Sequence, residues 1–238
     1  MRVETFTTPE PPKLRIFVPS GDIRVDTAET AETTVEVDGP LEDDAKIELH
    51  RNEIVIEVGK KRIFGFGGDH EVRIRAPHGT EVDANVASAD VKGYGRFGHV
   101  EVNTASGDVT FEDVQGRVGI NSASGDVEIR HVTAEARINS ASGDVTLGEA
   151  DSDVRLRTAS GDQKIQSASS GKLELQSASG EVEVGIRRGS KVWIDASSMS
   201  GDSTSELELS DVPSESDGPT VELRARTMSG DITVRRAS

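Results

Sequence analysis

The chain has 238 residues and a formal net charge of −16, from 27 Lys and Arg against 43 Asp and Glu. Only 34% of its residues are hydrophobic and 3% are aromatic, which excludes a thick globular core and favours a narrow core of small aliphatic side chains. The negative charge disfavours nucleic acid as a partner, because phosphates would be repelled on average. Cysteine is absent, which excludes disulfides, thiolate metal ligands and cysteine nucleophiles.

Residues 1–80 contain short, irregular strand patterns such as KLRIFVP, EIVIEVG and HEVRIRAP. They predict an N-terminal β layer, antiparallel and continuous with the structure that follows, which covers its open end. The segment 59–70, GKKRIFGFGGDH, looks like a hairpin loop with Phe64 and Phe66 at its tip. These two phenylalanines either cap the core or contact a partner or a membrane surface.

A repeat dominates residues 81–200. The nonapeptide NTASGDVTF at 103–111 returns at intervals of eighteen residues as NSASGDVEI, NSASGDVTL and RTASGDQKI. Between the glycines, aliphatic and polar residues alternate, which is typical of strands and excludes helices. The fold predicted is an all-β solenoid with two short strands in each coil of about eighteen residues. A hexapeptide-repeat β-helix is disfavoured, because its step of six would place Asp108 in the core.

The recurring SGD letters predict a tight corner in every coil. Glycine tolerates positive φ, and the following aspartate is expected to accept amide protons of its own turn. Alternation also turns the hydroxyl before each corner inward, as at Ser122 and Ser140. Calcium at the corners stays an alternative, although one aspartate per coil supplies few oxygens. The residues interpreted as structural turns are Gly107, Asp108, Gly125, Asp126, Gly143, Asp144, Gly161 and Asp162.

Residues 201–238 predict a mobile acidic loop, at about 203–220, followed by a final coil. Its closing Arg235 and Arg236 are expected to protect the terminal edge of the solenoid.

One outward-facing row is the candidate surface for a partner; its alternative is an ordinary solvated sheet face. The row consists of Asn103, Asn121, Asn139, Arg157, Gln176 and Asp195. No catalytic, cofactor or metal site is predicted. The GYGRFG segment precedes a strand rather than a helix, the five histidines lack metal-ligand spacing, and no nucleophile elbow is present. We therefore do not expect an enzyme.

The SGDV repeats, the tail TVELRARTMSGDITVRR and the stretch GEVEVGIRRGSKVWIDASS resemble the bacterial Toastrack-type β-strand-repeat family. Its members are catalogued as adhesin-like proteins of unknown function, and the chain is similar to actinobacterial ones. The resemblance implies a β-solenoid with relatives in envelope-stress, cell-surface and cytoplasmic settings. It implies no catalytic residues.

Together these observations predict a non-enzymatic interaction or assembly scaffold that takes a protein partner or associates with itself. The sequence shows no signal peptide and no integral membrane segment, so we expect a cytoplasmic protein or one at the inner face of the membrane. Three alternatives stay open: a surface adhesin or ligand-binding module, a self-assembling filament, and a carbohydrate-active β-helix enzyme.

Overall fold

The computed structural model describes residues 1–39, 45–59, 70–207 and 218–237. These residues form strands and connecting turns without any helix, so none of them belongs to a helix that could span a membrane. The chain is an all-β solenoid, as the repeat predicted. It divides into two compact units, Met1–Gly125 and Asp126–Ser238. The division into 1–80, 81–200 and 201–238 stays a prediction.

The residues described in the first unit, 1–39, 45–59 and 70–125, form nine strands. In chain order they are β1 (Arg2–Thr7), β2 (Lys13–Ala28), β3 (Glu32–Asp38), β4 (Lys46–His50), β5 (Glu53–Glu57), β6 (His70–Pro77), β7 (Thr80–Thr104), β8 (Val109–Val114) and β9 (Val118–Ser124).

Strand β2 is the centre of the first unit. Along one side it pairs in parallel with β7, and along the other it pairs in parallel first with β5 and then with β6. Strands β5 and β6 therefore lie end to end along the same side of β2. The hairpin loop predicted at 59–70 lies outside the described residues apart from its first and last positions. Antiparallel pairing occurs where β3 joins β6 and β1, and where β4 joins β5.

The earliest copies of the corner align as the repeat predicted. Ser20, Gly21 and Asp22 of β2 pair with Ser88, Ala89 and Asp90 of β7. The letters SAD at 88–90, a degenerate copy of SGD, therefore form a corner of the stack.

Eleven strands are formed by the part of the second unit that the structure describes, residues 126–207 and 218–237. They are β10 (Val127–Val132), β11 (Ala136–Ser142), β12 (Val145–Ala150), β13 (Val154–Ser160), β14 (Gln163–Ala168), β15 (Gly171–Ser179), β16 (Val182–Ile186), β17 (Lys191–Ser200), β18 (Ser203–Ser205), β19 (Thr220–Ser229) and β20 (Ile232–Arg236).

Parallel pairing arranges these strands in two ladders. The first ladder runs β11, β13, β15, β19, β17, and the second runs β10, β12, β14, β16, β20, β18. The last two strands in sequence are therefore not the outermost ones. Strand β19 lies between β15 and β17, and β20 lies between β16 and β18. This order corrects the expected role of Arg235 and Arg236, because β20 has a partner on each side and is not the terminal edge.

The inward columns form the core of each unit. In the first ladder Ile138, Leu156 and Leu175 occupy equivalent positions, and each is fully buried. Burial of one such side chain contributes about 1.5 to 3 kcal/mol, so the columns carry most of the stability. The apolar residues of the alternating pattern are buried, as alternation predicts: Val109, Phe111, Val118, Ile120, Val127, Ile129, Ile138, Val145 and Leu147.

The inward hydroxyls before the corners are confirmed too. Each is at most 9% exposed, and its hydroxyl bonds the neighbouring turn. Ser140 Oγ donates to the carbonyl of Ser142 at 3.1 Å, and Thr104 Oγ1 accepts from the amide of Gly107 at 2.9 Å. A larger polar group would find no partner there.

Candidate functional site

The aspartates of the corners form hydrogen bonds between successive coils. Oδ1 of Asp126 accepts the amide proton of Asp144 at 2.8 Å, Oδ1 of Asp144 accepts that of Asp162, and Oδ1 of Asp162 accepts that of Glu181. In the first unit Asp90 and Asp108 repeat the arrangement at 3.0 Å. Each of these carboxylates therefore links its own coil to the next one, and the bonds inside one turn stay a prediction.

The glycine of the corner is required by space as well as by conformation. Gly161 has φ of 139°, and a Cβ there would lie 2.2 Å from the carbonyl oxygen of Gly143 in the preceding coil. Contacts below 3.0 Å do not occur between real Cβ atoms and such oxygens. The SGD letters thus serve coil stacking.

The predicted partner-facing row is present, but its members differ. In the first unit, Asn121 Nδ2 donates to Asn103 Oδ1 at 2.9 Å, and Asn103 Nδ2 donates to Asn85 Oδ1 at 3.1 Å. These amides are thus engaged with one another along the stack, which stabilises the wall.

In the second unit the row continues along the first ladder as Asn139, Arg157 and Gln176. Register places Ser197 in this row, because it lies opposite Arg226, which lies opposite Gln176. Assigning Asp195 to the row was therefore wrong. Phe64 and Phe66, the other candidate partner residues, lie outside the described residues.

A groove on the second ladder is the feature that the sequence reading missed. Its volume is about 910 Å³. One outward column forms its floor, in which Arg130, Gly148 and Gln166 are followed by Gly185 and Arg235. Four coil spacings of about 4.8 Å separate the two arginines, so the floor is about 19 Å long.

Gly148 and Gly185 leave the floor of the groove without side chains at two positions. A Cβ on Gly148 would lie 2.3 Å from the carbonyl oxygen of Arg130, and one on Gly185 would lie 2.0 Å from that of Gln166. A side chain is therefore excluded at both positions unless the backbone moves. Backbone and the amide of Gln166 form the base on which a ligand could lie.

Cations dominate the lining. Five basic residues line the groove together with a single acidic residue, Glu149. The basic residues are Arg130, Lys164, Arg187, Arg188 and Arg235. In a chain with a net charge of −16, this local excess of positive charge stands out.

Ion pairs hold three of these cations in place. Arg187 bonds Glu149 at 2.9 Å and Asp151 at 3.4 Å, and Lys164 bonds Glu183 at 2.9 Å. Arg235 pairs with the same Glu183. The hydrogen bond from Lys164 lowers the pKa of Glu183 below its ordinary value; partial burial opposes this, and Arg235 reinforces it. Lys164, Arg187 and Arg235 are thus held by three carboxylates, Glu149, Asp151 and Glu183.

A signal for this groove was present in the sequence. Gly148 in VTLGEA and Gly185 in VEVGIRR each interrupt a strand pattern, which indicates close backbone approach. The cations at 130, 164, 187 and 235 are distant in sequence, and only the coil register brings them together.

The described ranges contain no group of three or more Asp, Glu or His side chains that could hold a metal ion.

Comparison with known proteins places the chain among β-solenoids. The sequence profile described as Toastrack DUF4097 matches residues 12–235. A structure named as a putative adhesin from Bacteroides fragilis NCTC 9343 has a TM-score of 0.58 at 13% identity, covering 99% of this chain and 96% of that one. A structure named as a putative lipid binding protein from Parabacteroides distasonis ATCC 8503 has a TM-score of 0.55 at 14% identity, covering 100% and 96%. Identities this low establish likeness of fold alone. Comparison with curated proteins finds no match.

Proposed function

The chain belongs to the Toastrack DUF4097 family, an uncharacterised adhesin-like group of β-solenoids, and from this premise we propose that it acts by binding rather than by catalysis. Its partner in the proposal is a protein with an extended acidic segment, which lies in the basic groove of the second unit. The observation that carries the proposal is the convergence of five cations on a glycine-lined floor.

The length of the groove suits an extended peptide. The floor of about 19 Å matches about six residues in extended conformation, at about 3.3 Å for each residue. Arginines at both ends, Arg130 and Arg235, would bracket such a segment, with Arg187 and Arg188 along one side. Guanidinium groups pair with carboxylates in two-point geometry, which favours carboxylates spaced along a chain.

The floor supports a peptide in particular. Gln166 offers both an amide donor and an acceptor, which can pair with a peptide backbone lying over Gly148 and Gly185. Because the floor lacks side chains at those two positions, the backbone of a ligand can approach closely.

Fluorescence anisotropy with a labelled peptide of six glutamates tests the proposal, with a peptide of six glutamines as its neutral control. We expect binding of the acidic peptide alone, and weakening as salt is raised, because exposed charges are screened. The double variant Arg187→Gln/Arg188→Gln should bind about tenfold more weakly, at about 0.5 to 1 kcal/mol for each lost ion pair.

Arg137→Gln is the matched control. Arg137 is an exposed arginine of the first ladder that pairs with Glu135 at 2.8 Å, so its loss removes equal charge away from the groove. Equal affinity of the two peptides, or equal loss in Arg137→Gln and the groove variant, would contradict the proposal.

Cytoplasmic location belongs to the same proposal, since the chain has no cysteine that needs an oxidising compartment, and fractionation of the native protein tests it.

A further inference from the structure

The outermost strand of the first ladder is β17, and no other described strand of the second unit lies beyond it. Within the described part of the chain, β17 pairs with β19 and with no other strand. Val192 and Ile194 face inward opposite Val221 and Leu223, which are fully buried, yet both are only half-buried themselves. Among the residues that the structure describes, the aliphatic columns therefore stop at β17 without a covering layer.

Exposed apolar side chains concentrate at the same place. Trp193 is 49% exposed and Met199 82%, both on β17, and Met228 on the adjacent β19 is 59% exposed. These three are the exposed large hydrophobic residues among the described residues of the second unit. Edge strands of natural sheets are usually protected by proline, bulges or several charges, and Lys191–Ser200 contains no proline and two charged residues.

Those two charges define a register. Lys191, Trp193 and Asp195 lie on the outward face of β17, two residues apart. If a second copy of β17 pairs in antiparallel fashion about a two-fold axis at Trp193, each Lys191 lies opposite the other copy's Asp195. In the same register each Val192 lies opposite the other copy's Ile194, on the inward face. Charges, indoles and aliphatics are thus all matched in one arrangement.

We infer that β17 is a homodimer interface in which two copies of this chain join edge to edge in this register. The pairing extends the first ladder across the two-fold axis and covers Val192 and Ile194. The interface is isologous, and the free edge of β17 is paired in both copies. Association through this edge therefore stops at the dimer and does not continue as a filament. It lies on a different ladder from the basic groove and is independent of the proposed function.

A charge swap tests the inference by sedimentation velocity over a range of concentrations. Lys191→Glu places a glutamate opposite Asp195, and Asp195→Lys places a lysine opposite Lys191. Each single variant contains two like-charge contacts per dimer and should weaken dimerisation about tenfold. The double variant Lys191→Glu/Asp195→Lys restores opposite charges and should recover dimerisation to within about threefold of the native chain.

Trp193, the single tryptophan, reports the same event independently. Its emission should shift to shorter wavelength as concentration rises through the dimer range, and the single variants should need higher concentration for the same shift. Recovery in the double variant also excludes misfolding as the cause of the losses. A monomer at all concentrations, mass that grows without limit, or a double variant no better than the singles would overturn the inference.

Discussion

Gly161 offers a quantitative test of how the coils stack. The change to alanine places a Cβ 2.2 Å from the carbonyl oxygen of Gly143, about 1 Å inside ordinary contact, at a φ of 139° that alanine rarely adopts. The conformational strain costs about 1 to 3 kcal/mol. Relief of the overlap requires the two coils to separate. Separation weakens two hydrogen bonds between them, from the amide of Asp162 to Oδ1 of Asp144 and from the amide of Gly143 to the carbonyl of Ser160, at about 1 kcal/mol each. The expected loss in the free energy of unfolding is therefore about 3 to 5 kcal/mol.

Two other glycines separate the causes of this loss. Gly189 has φ of 86° but open space around its Cβ position, so Gly189→Ala should lose only about 1 kcal/mol from conformation. Gly119 lacks positive φ and its Cβ would lie 3.9 Å from Glu101, an ordinary contact, so Gly119→Ala should change stability by less than about 0.5 kcal/mol. Urea unfolding of the three variants measures the series. Equal losses at Gly161 and Gly189 would refute the argument from coil spacing.

Three further substitutions probe the corners, the core and the ion pairs. Asp126→Ala removes the acceptor for the amide of Asp144 and should cost about 1 kcal/mol in urea unfolding, whereas Asp126→Asn keeps an acceptor oxygen and should cost little; equal costs would argue against the bond between coils. Gln163 is 1% exposed in a column otherwise filled by Val145 and Val182, and its Nε2 donates to Thr158 Oγ1 at 2.9 Å and to the carbonyl of Gln176 at 2.8 Å. Gln163→Val removes the donor from both acceptors and should lower stability by about 1 to 2 kcal/mol, and a raised melting temperature would contradict this. Hydrogen bonds from Lys172 and Arg155 lower the pKa of Glu174 from 4.5 to about 2, so its contribution to stability is complete above about pH 4.5 and is lost as pH falls toward about 2; Glu174→Gln should be less stable than the native chain at pH 7, and the difference should close at pH 2.

The regular part of the fold could be predicted because its period is local. Alternation around each corner determines which residues point inward, and Ile138, Leu147 and Ser140 are buried as expected. The pairing of Ser20–Asp22 with Ser88–Asp90 was likewise predictable, since both carry the corner letters.

The stacking order at the end of the second unit could not be predicted. Gly201 and Gly230 lie in equivalent corners, and nothing in their letters indicates that the later one stacks directly on Gly180. The hydrogen bonds of the corner aspartates to the next coil could not be predicted for a related reason. Their acceptor atoms reach the next coil at about 4.8 Å, a neighbour that is eighteen residues away in the chain.

The groove was missed because its residues depart from the repeat. A search for identical letters at equal spacing finds the Asn row, whereas the groove column contains Arg, Gly and Gln in turn. The repeated residues form the coils, whereas the residues that depart from the repeat form the proposed binding surface.

The corners are expected to stabilise the coils and the groove to bind the partner. One peptide titration tests this separation of stability from binding most directly. The labelled six-glutamate peptide is titrated against the native chain, Arg187→Gln/Arg188→Gln and Asp126→Ala, at a temperature where all three are folded. We predict about tenfold weaker binding for the groove variant, whose urea midpoint stays near the native value, and native affinity for the corner variant, whose midpoint falls. Native affinity in the groove variant, or lost affinity in the folded corner variant, would contradict the account.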